Sequence, residues 1–207
     1  MERKYVITIG RQLGSGGRII GEKLASKLGI SFYDKELIQI ASQESGLGRE
    51  FFERADEKRP YSVFGGLFSL RGTIAEEPFS TYYLNNETLF KIQSDVIRRL
   101  AEKSSCLFVG RCADYVLSGH PFMLNVFITA DLDDRVKRIS EREKLTPVKA
   151  RDYIEKADKK RAAYYNYFSS KPWGMADSYH LCINSSWLGL EATVESICSF
   201  ASKRFGL

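Results

Sequence analysis

Short apolar runs and longer amphipathic stretches alternate along most of this chain. "YVITI" (Tyr5–Ile9), "CLFV" (Cys106–Val109) and "MLNVFI" (Met123–Ile128) are nearly continuous apolar runs, the pattern of strands buried on both faces. "ISFY" (Ile30–Tyr33) and "SYHLCI" (Ser178–Ile183) are shorter strand candidates. Between them, Arg18–Leu28, Lys35–Ser45, Glu87–Glu102, a segment ending near Lys144, Val148–Phe168 and Leu190–Lys203 read as helices. This alternation predicts an α/β fold around a mostly parallel sheet.

End signals sharpen several boundaries. Gly29 is a natural C-terminal cap for the first helix. Asp34 is placed to cap Lys35–Ser45, which Gly46–Leu47–Gly48 breaks, and Asp131 is placed to cap the helix that ends near Lys144. Thr146–Pro147 is a strong start, a hydroxyl cap followed by proline at the first helical position. One stretch breaks the alternation. Residues 59–86, "RPYSVFGGLFSLRGTIAEEPFSTYYLNN", mix aromatics with Gly, Pro and Ser without a sustained period, as functional or disordered insertions do.

Composition narrows the classes. A chain of 207 residues, 43% hydrophobic and 28% charged, suits one globular domain spanning 1–207. The net charge of +5 is spread over helix faces among acids, so it favours anionic partners only mildly, and no nucleic-acid partner is expected. Cys106, Cys112, Cys182 and Cys198 form no C-x-x-C pair and only His120 and His180 could join them, so no metal site, zinc included, is expected. No run of about 18 apolar residues is present to span a membrane. The first residues run into a strand with no signal-peptide core, so a cytoplasmic protein with reduced thiols is expected.

The chemistry begins at "ITIGRQLGSGGRIIGEKLASKLG", residues 7–29: buried strand, glycine-rich turn, amphipathic helix. Gly14, Gly16 and Gly17 let the backbone turn tightly and aim N–H groups at an anion, with the helix dipole behind them. The same glycines also suit a plain strand-to-helix turn. In the pattern G-x-x-x-x-G-K-[ST], a lysine and a hydroxyl stand at the helix start. Here Gly17 takes the place of the lysine, and Ile19 stands where the hydroxyl is wanted. Arg18 and Arg11 are the candidate replacements for the missing charge. Arg18 is preferred because it lies at the mouth of the anion site, although one helical residue on is about 100° round the axis. Arg11 has the weaker claim, since a residue at a strand end often points to solvent.

"ITIGRQLGSGGRIIGEKLA", "FVGRCADYVL", "VFITADLDDRVKRISERE" and "WGMADSYHLCINSS" together resemble the cytidylate kinase-like family, from Tyr5 to about Ile197. The resemblance implies a P-loop nucleoside-monophosphate-kinase fold, with a five-stranded parallel sheet flanked by helices, an acceptor-side insertion (59–86) and a helical lid (about 142–170). ATP, or another nucleoside triphosphate, and Mg²⁺ are the implied cofactors, and Arg11, Gly14, Ser15, Gly16, Gly17, Arg18 and Ile19 the implied nucleotide-binding set. "VGR" resembles the kinases' D-G-R-D, which makes Arg111 an arginine near the acceptor phosphate. "DKKR" matches their lid D-x-x-R, so Asp158 would hold the acceptor ribose and Arg161 its phosphate. Arg18, Arg111 and Arg161 are thus the implied catalytic arginines.

Spacing adds that Asp158 and Arg161 share a helix face, as an ordinary ion pair also would. Tyr164, Tyr165 and Tyr167 suit helix packing better than base stacking. The kinases' D-x-G-x-x-Y-R is replaced here by "DKELIQI", in which only Asp34 matches and no arginine stands near Ile40. The acceptor is therefore left open. The expected activity is phosphoryl transfer from a nucleoside triphosphate to a nucleoside monophosphate or similar small anion. The alternatives are nucleotide binding without transfer, and a kinase of another metabolite.

Overall fold

The computed structural model describes residues 4–34 and 79–207, with the backbone alone for 79–86. Two compact units divide the chain: residues 1–35 with 97–207, and residues 36–96. The first holds five strands, β1 (Val6–Arg11), β2 (Ser31–Tyr33), β3 (Cys106–Val109), β4 (Met123–Thr129) and β5 (Leu181–Asn184). They form one sheet in the order β2-β3-β1-β4-β5, and every pairing is parallel. The helices are α1 (Gly17–Leu28), α2 (Phe79–Lys103), α3 (Ala113–Val116), α4 (Leu132–Glu143), α5 (Pro147–Ser169) and α6 (Ser185–Phe205). Of the second unit, the described part is the start of α2.

Parallel strands need helical crossovers, and those crossovers cover the sheet. Ile7, Ile9, Leu107, Leu124, Val126 and Ile128 are fully or almost fully buried with Ile20 and Leu24 of α1 and Val194, Ile197 and Ala201 of α6. The apolar runs read from the sequence are these central strands. The sheet presents the carboxyl ends of β1, β3 and β4 together, and in open parallel sheets that edge is where ligands bind.

Local signals held where no tertiary partner competed. Gly29 ends α1 at φ 65° with its N–H on Ser26 O, and the Thr146 hydroxyl accepts from Lys149 N at 3.4 Å with Pro147 at the first helical position. Asp131 stands at the cap position of α4 but its side chain does not cap; it accepts from Asn184 Nδ2 at 2.8 Å instead, because β5 ends beside it. The fifth strand begins later than Ser178. Residues 176–178 form a 3₁₀ turn, and the His180 ring takes the Asn125 N–H (Nδ1, 3.0 Å) where a ladder carbonyl would. The closing helix is preceded by a turn that the Asn184 side chain caps at Ser186 N (2.9 Å), and non-helical backbone at Gly189 separates that turn from the helix that runs on from Leu190.

The helix over Lys35–Ser45, its capping by Asp34 and its break at Gly46–Leu47–Gly48 lie outside the described residues. Of the aperiodic stretch 59–86, residues 59–78 lie outside them too, while 79–86 belong to α2.

Candidate active site

The glycine loop between β1 and α1 is held from outside by its carbonyls. Arg161 Nη1 donates to Arg11 O (3.0 Å), Arg135 Nε to Leu13 O (2.8 Å), Arg138 Nη1 to Gly14 O (3.0 Å) and Ser185 Oγ to Ser15 O (2.7 Å). Gln12 O accepts from both the amide and the hydroxyl of Ser15. Gly14 and Gly16 sit at φ 82° and 79°, the left-handed region that favours glycine. With the carbonyls turned outward, the opposite face of the loop presents N–H groups. Among the described residues no acceptor meets those of Gly14, Gly16 and Gly17. Such a cradle at a helix start attracts an anion.

Arg11 lies between residue 17 and Gly110. A Cβ on Gly17 would sit 2.6 Å from Arg11 Cβ and 2.9 Å from Cγ, so the aliphatic stem of Arg11 fills the space beside residue 17. Its guanidinium reaches Gly110, where a Cβ would collide with Nη1. Glycine at 17 is therefore a steric requirement of Arg11, whereas at 110 it is the φ of 78° that favours glycine. Burial, and then the charges of Arg161 and Arg111, push the Arg11 guanidinium down to about 9, against an opposing pull from Asp34 and Asp158. Arg161 is lowered as well, chiefly by burial. Arg11 therefore lies beside the N–H cradle with the positive charges of Arg161 and Arg111 close to its own.

Arg18 is placed otherwise. Its Nε donates to Asp34 Oδ2 at 2.7 Å, and Nη1 lies 3.9 Å from Glu22 on the next turn. The step of one helical residue turned it toward Asp34 at the end of β2. Ile19 is 47% exposed and offers the site only backbone. Ser15 is fully buried, its hydroxyl spent on Gln12 O.

Arg111 follows β3 in a turn where Gly110, Arg111 and Cys112 all have positive φ (78°, 59° and 53°). For a non-glycine residue this conformation costs about 1–2 kcal/mol, and at a site such strain points to a side chain that must be aimed. The Arg111 guanidinium stacks 5.6 Å above the Tyr164 ring. Replacing Arg111 with glycine is expected to give a protein at least as stable as Arg111→Ala in urea titrations, by up to about 1 kcal/mol, while both lose anion binding equally. A less stable glycine variant would refute the strain.

Asp158 has three protein partners. Its Oδ1 takes the Leu13 N–H at 2.8 Å, its Oδ2 pairs with Arg135 Nη2, and Arg161 Nη1 stands 3.8 Å from Oδ1. The carboxylate for which the resemblance implied a ribose role braces the loop through these contacts. The tyrosines divide. Tyr165 is buried and donates to Asp114 Oδ2 at 2.6 Å, tying α5 to α3, Tyr164 supports Arg111, and Tyr167 is exposed. At its other end α5 packs Ala150 and Ile154 against Leu13, Val136 and Ile139. The lid-like segment thus docks on the glycine loop.

Sequence reasoning missed Arg135, Arg138 and Ser185. A signal for the first two was present, since Arg135, Arg138 and Arg142 follow one another at helical spacing in "DRVKRISER". Nothing local marked Ser185. A Mg²⁺ cradle is not among the described groups: Ile19 brings no hydroxyl, Asp34 is engaged by Arg18, and no cluster of three His, Cys, Asp or Glu occurs among the described residues. Such an ion would be held by phosphate oxygens and water.

The geometry is that of a phosphate loop on a parallel sheet, and the model of the cytidylate kinase-like family matches residues 6–187. The chain belongs to that family. A comparison with curated protein sequences gives no match. Among solved structures, an uncharacterized protein from Eubacterium ventriosum is 27% identical (TM-score 0.72, covering 96% of this chain and 99% of that one). Shikimate kinase from Bacteroides thetaiotaomicron is 15% identical (TM-score 0.53, 98% and 99%). Shikimate kinase from Acinetobacter baumannii, in complex with shikimate, is 14% identical (TM-score 0.50, 98% and 95%). The last two identities are low and establish the fold alone, a P-loop kinase-type fold. Among the described residues no helix is long and apolar enough to cross a membrane.

Proposed function

We propose that this family member is a phosphotransferase that takes a nucleoside triphosphate such as ATP as donor and a nucleoside monophosphate or similar small anion as acceptor. The observation that carries this reading is the set of N–H groups at Gly14, Gly16 and Gly17 that meet no acceptor among the described residues, with the Arg11 side chain beside Gly17 and the charges of Arg111 and Arg161 near its guanidinium. The N–H groups hold the donor phosphates. Arg11 supplies the positive charge that a lysine at 17 would have given, and Arg111 and Arg161 neutralise charge spread over the transferred group. The bond between the γ-phosphorus and its bridging oxygen breaks as an acceptor oxygen bonds to phosphorus, and the nucleoside diphosphate leaves with the electron pair. An acceptor that is already a phosphate oxygen needs no general base. Mg²⁺, when it accompanies the donor, adds charge neutralisation from the phosphate side.

Kinase chemistry on another small metabolite is the second reading, favoured by the structural likeness to shikimate kinases. Nucleotide binding without transfer is the third, favoured by Gly17 and Ile19. A panel of nucleoside monophosphates and small metabolites, shikimate included, read by nucleoside diphosphate release, separates them. Release with a monophosphate supports the proposal, release with a metabolite the second reading, and tight binding without release the third.

The crowded guanidiniums make a further expectation. Inorganic triphosphate at a hundred times its Kd should stabilise the fold by about 2.7 kcal/mol, which for a chain of this size raises the melting temperature by about 5–10 °C. Sodium chloride at matched ionic strength should not. An unchanged melting temperature would argue against an anion site on the loop.

A further inference from the structure

Arg111 reaches its place through backbone that its own residue type disfavours. The turn Gly110–Arg111–Cys112 runs at φ 78°, 59° and 53°, a region that only glycine enters without cost. Such a turn persists where its surroundings over-determine it. Two consecutive residues of α5 supply those surroundings. The Tyr164 ring lies under the Arg111 guanidinium at 5.6 Å, and the Tyr165 hydroxyl donates to Asp114 Oδ2 at 2.6 Å. One helix thus holds the side chain of Arg111 and, just beyond it, the turn that carries its main chain.

Asp114 joins the two. The helix α3 is four residues long, and the Cys112 side chain does not cap it. The Asp114 carboxylate instead takes N–H groups of its own turn, those of residues 114 and 115, together with the Tyr165 hydroxyl. Burial pushes this carboxyl up, and those donors pull the other way. An oxygen-to-oxygen distance of 2.6 Å is that of a charge-assisted hydrogen bond. Tyr165 is seated in its turn. It is buried beside Tyr179, whose ring packs on Phe127 with centroids 4.9 Å apart. A Cβ on Gly10 would meet Tyr179 Cε1 and its hydroxyl at 3.2 Å, so this seat adjoins the carboxyl end of β1, where the glycine loop begins.

We propose that Asp114 and Tyr165 are positioning residues for Arg111: the hydrogen bond between them holds the turn before α3 so that the guanidinium stays on Tyr164 and turned to phosphate. The inference rests on the reading of Arg111 as a phosphate-facing arginine. Neither Asp114 nor Tyr165 meets the ligand, so each acts only through Arg111.

The test is a double-variant cycle on the full chain, read by calorimetric titration with inorganic triphosphate. Arg111→Ala should weaken triphosphate about tenfold, the scale of a lost hydrogen bond to a charged group. Tyr165→Phe keeps the ring and removes the donor. It should weaken triphosphate about fivefold in the native chain, within the range for residues of one hydrogen-bond network, and hardly at all beside Arg111→Ala. Asp114→Asn keeps an acceptor for the Tyr165 hydroxyl and should retain most of the affinity, whereas Asp114→Ala should match Tyr165→Phe. Urea unfolding shows which variants are folded, and Asp114→Ala is taken through the same cycle should Tyr165→Phe not fold. An equal loss in both backgrounds overturns the inference, because loosened packing would not need Arg111. Unchanged affinity in Tyr165→Phe and Asp114→Ala overturns it too. If Arg111→Ala binds triphosphate as the native chain does, the phosphate-facing reading of Arg111 falls, and the clasp with it.

Discussion

Arg11→Ala is expected to weaken nucleoside triphosphate binding by about 2–3 kcal/mol, the scale of a charge-assisted hydrogen bond lost together with its charge. Arg18→Ala should change it far less, because Arg18 spends its guanidinium on Asp34 and Glu22. Lys23, further along α1 and paired with Glu191, is the neutral control. Restoring the missing lysine should fail. A Cβ at 17 would lie 2.6 Å from Arg11 Cβ, so Gly17→Lys must push Arg11 off the loop and lose affinity. The double variant Arg11→Ala with Gly17→Lys clears that space and should recover part of the loss. Calorimetric titration with ATP measures the five variants beside the native chain. If Gly17→Lys alone binds better than the native chain, Arg11 does not hold the lysine's place.

Asp158→Ala should destabilise the fold by about 3–5 kcal/mol, since it leaves a buried guanidinium without its partner. The Arg135 side chain is 7% exposed, and the same carboxylate also satisfies Leu13 N–H. Asp158→Asn keeps an acceptor for that N–H and should cost less. Asp158→Ala with Arg135→Met removes both charges and should regain much of the stability. Urea unfolding with a common slope is the measurement. A residue that held only the acceptor ribose would leave unfolding untouched and raise KM for the acceptor alone, and that result would support the role the resemblance implied.

The two sets of variants separate binding from architecture at one loop. Arg11 touches the proposed ligand, so its loss should appear in affinity and little in stability, apart from some relief of repulsion with Arg111 and Arg161. Asp158 acts through Leu13 and Arg135, so its loss should appear in stability first and in affinity only as the loop loosens. This is the expected division between a group that meets phosphate and one that positions the groups that do.

Much of the fold was legible along the chain because the relevant physics is local or periodic. Unbroken apolar runs can be stable only as strands covered on both faces, and β1, β3 and β4 are those strands. Gly29, Thr146 and Pro147 act through bonds to residues within four positions, so their roles could be read directly. The glycine pattern marked where N–H groups could gather, because left-handed backbone at Gly14 and Gly16 follows from residue type. The side chains that complete the site were not legible in the same way. Arg11 and Arg18 are equally cationic and equally near the loop in sequence, and only the approach of Gly110 and of Asp34 separates them. Asp158 and Arg161 share a helix face by spacing alone, yet what that face meets depends on how α5 docks: Arg135 is 23 residues away in sequence, Leu13 N and Arg11 O are 145 and 150. Ser185 had no local mark, because its partner is Ser15 O at the far end of the sequence. Sequence by itself determined the strands, the caps and the place of the phosphate loop, whose causes lie within a few residues. The tertiary structure decided which arginine faces the loop and which carboxylate braces it, because charge partners are chosen by distance in space.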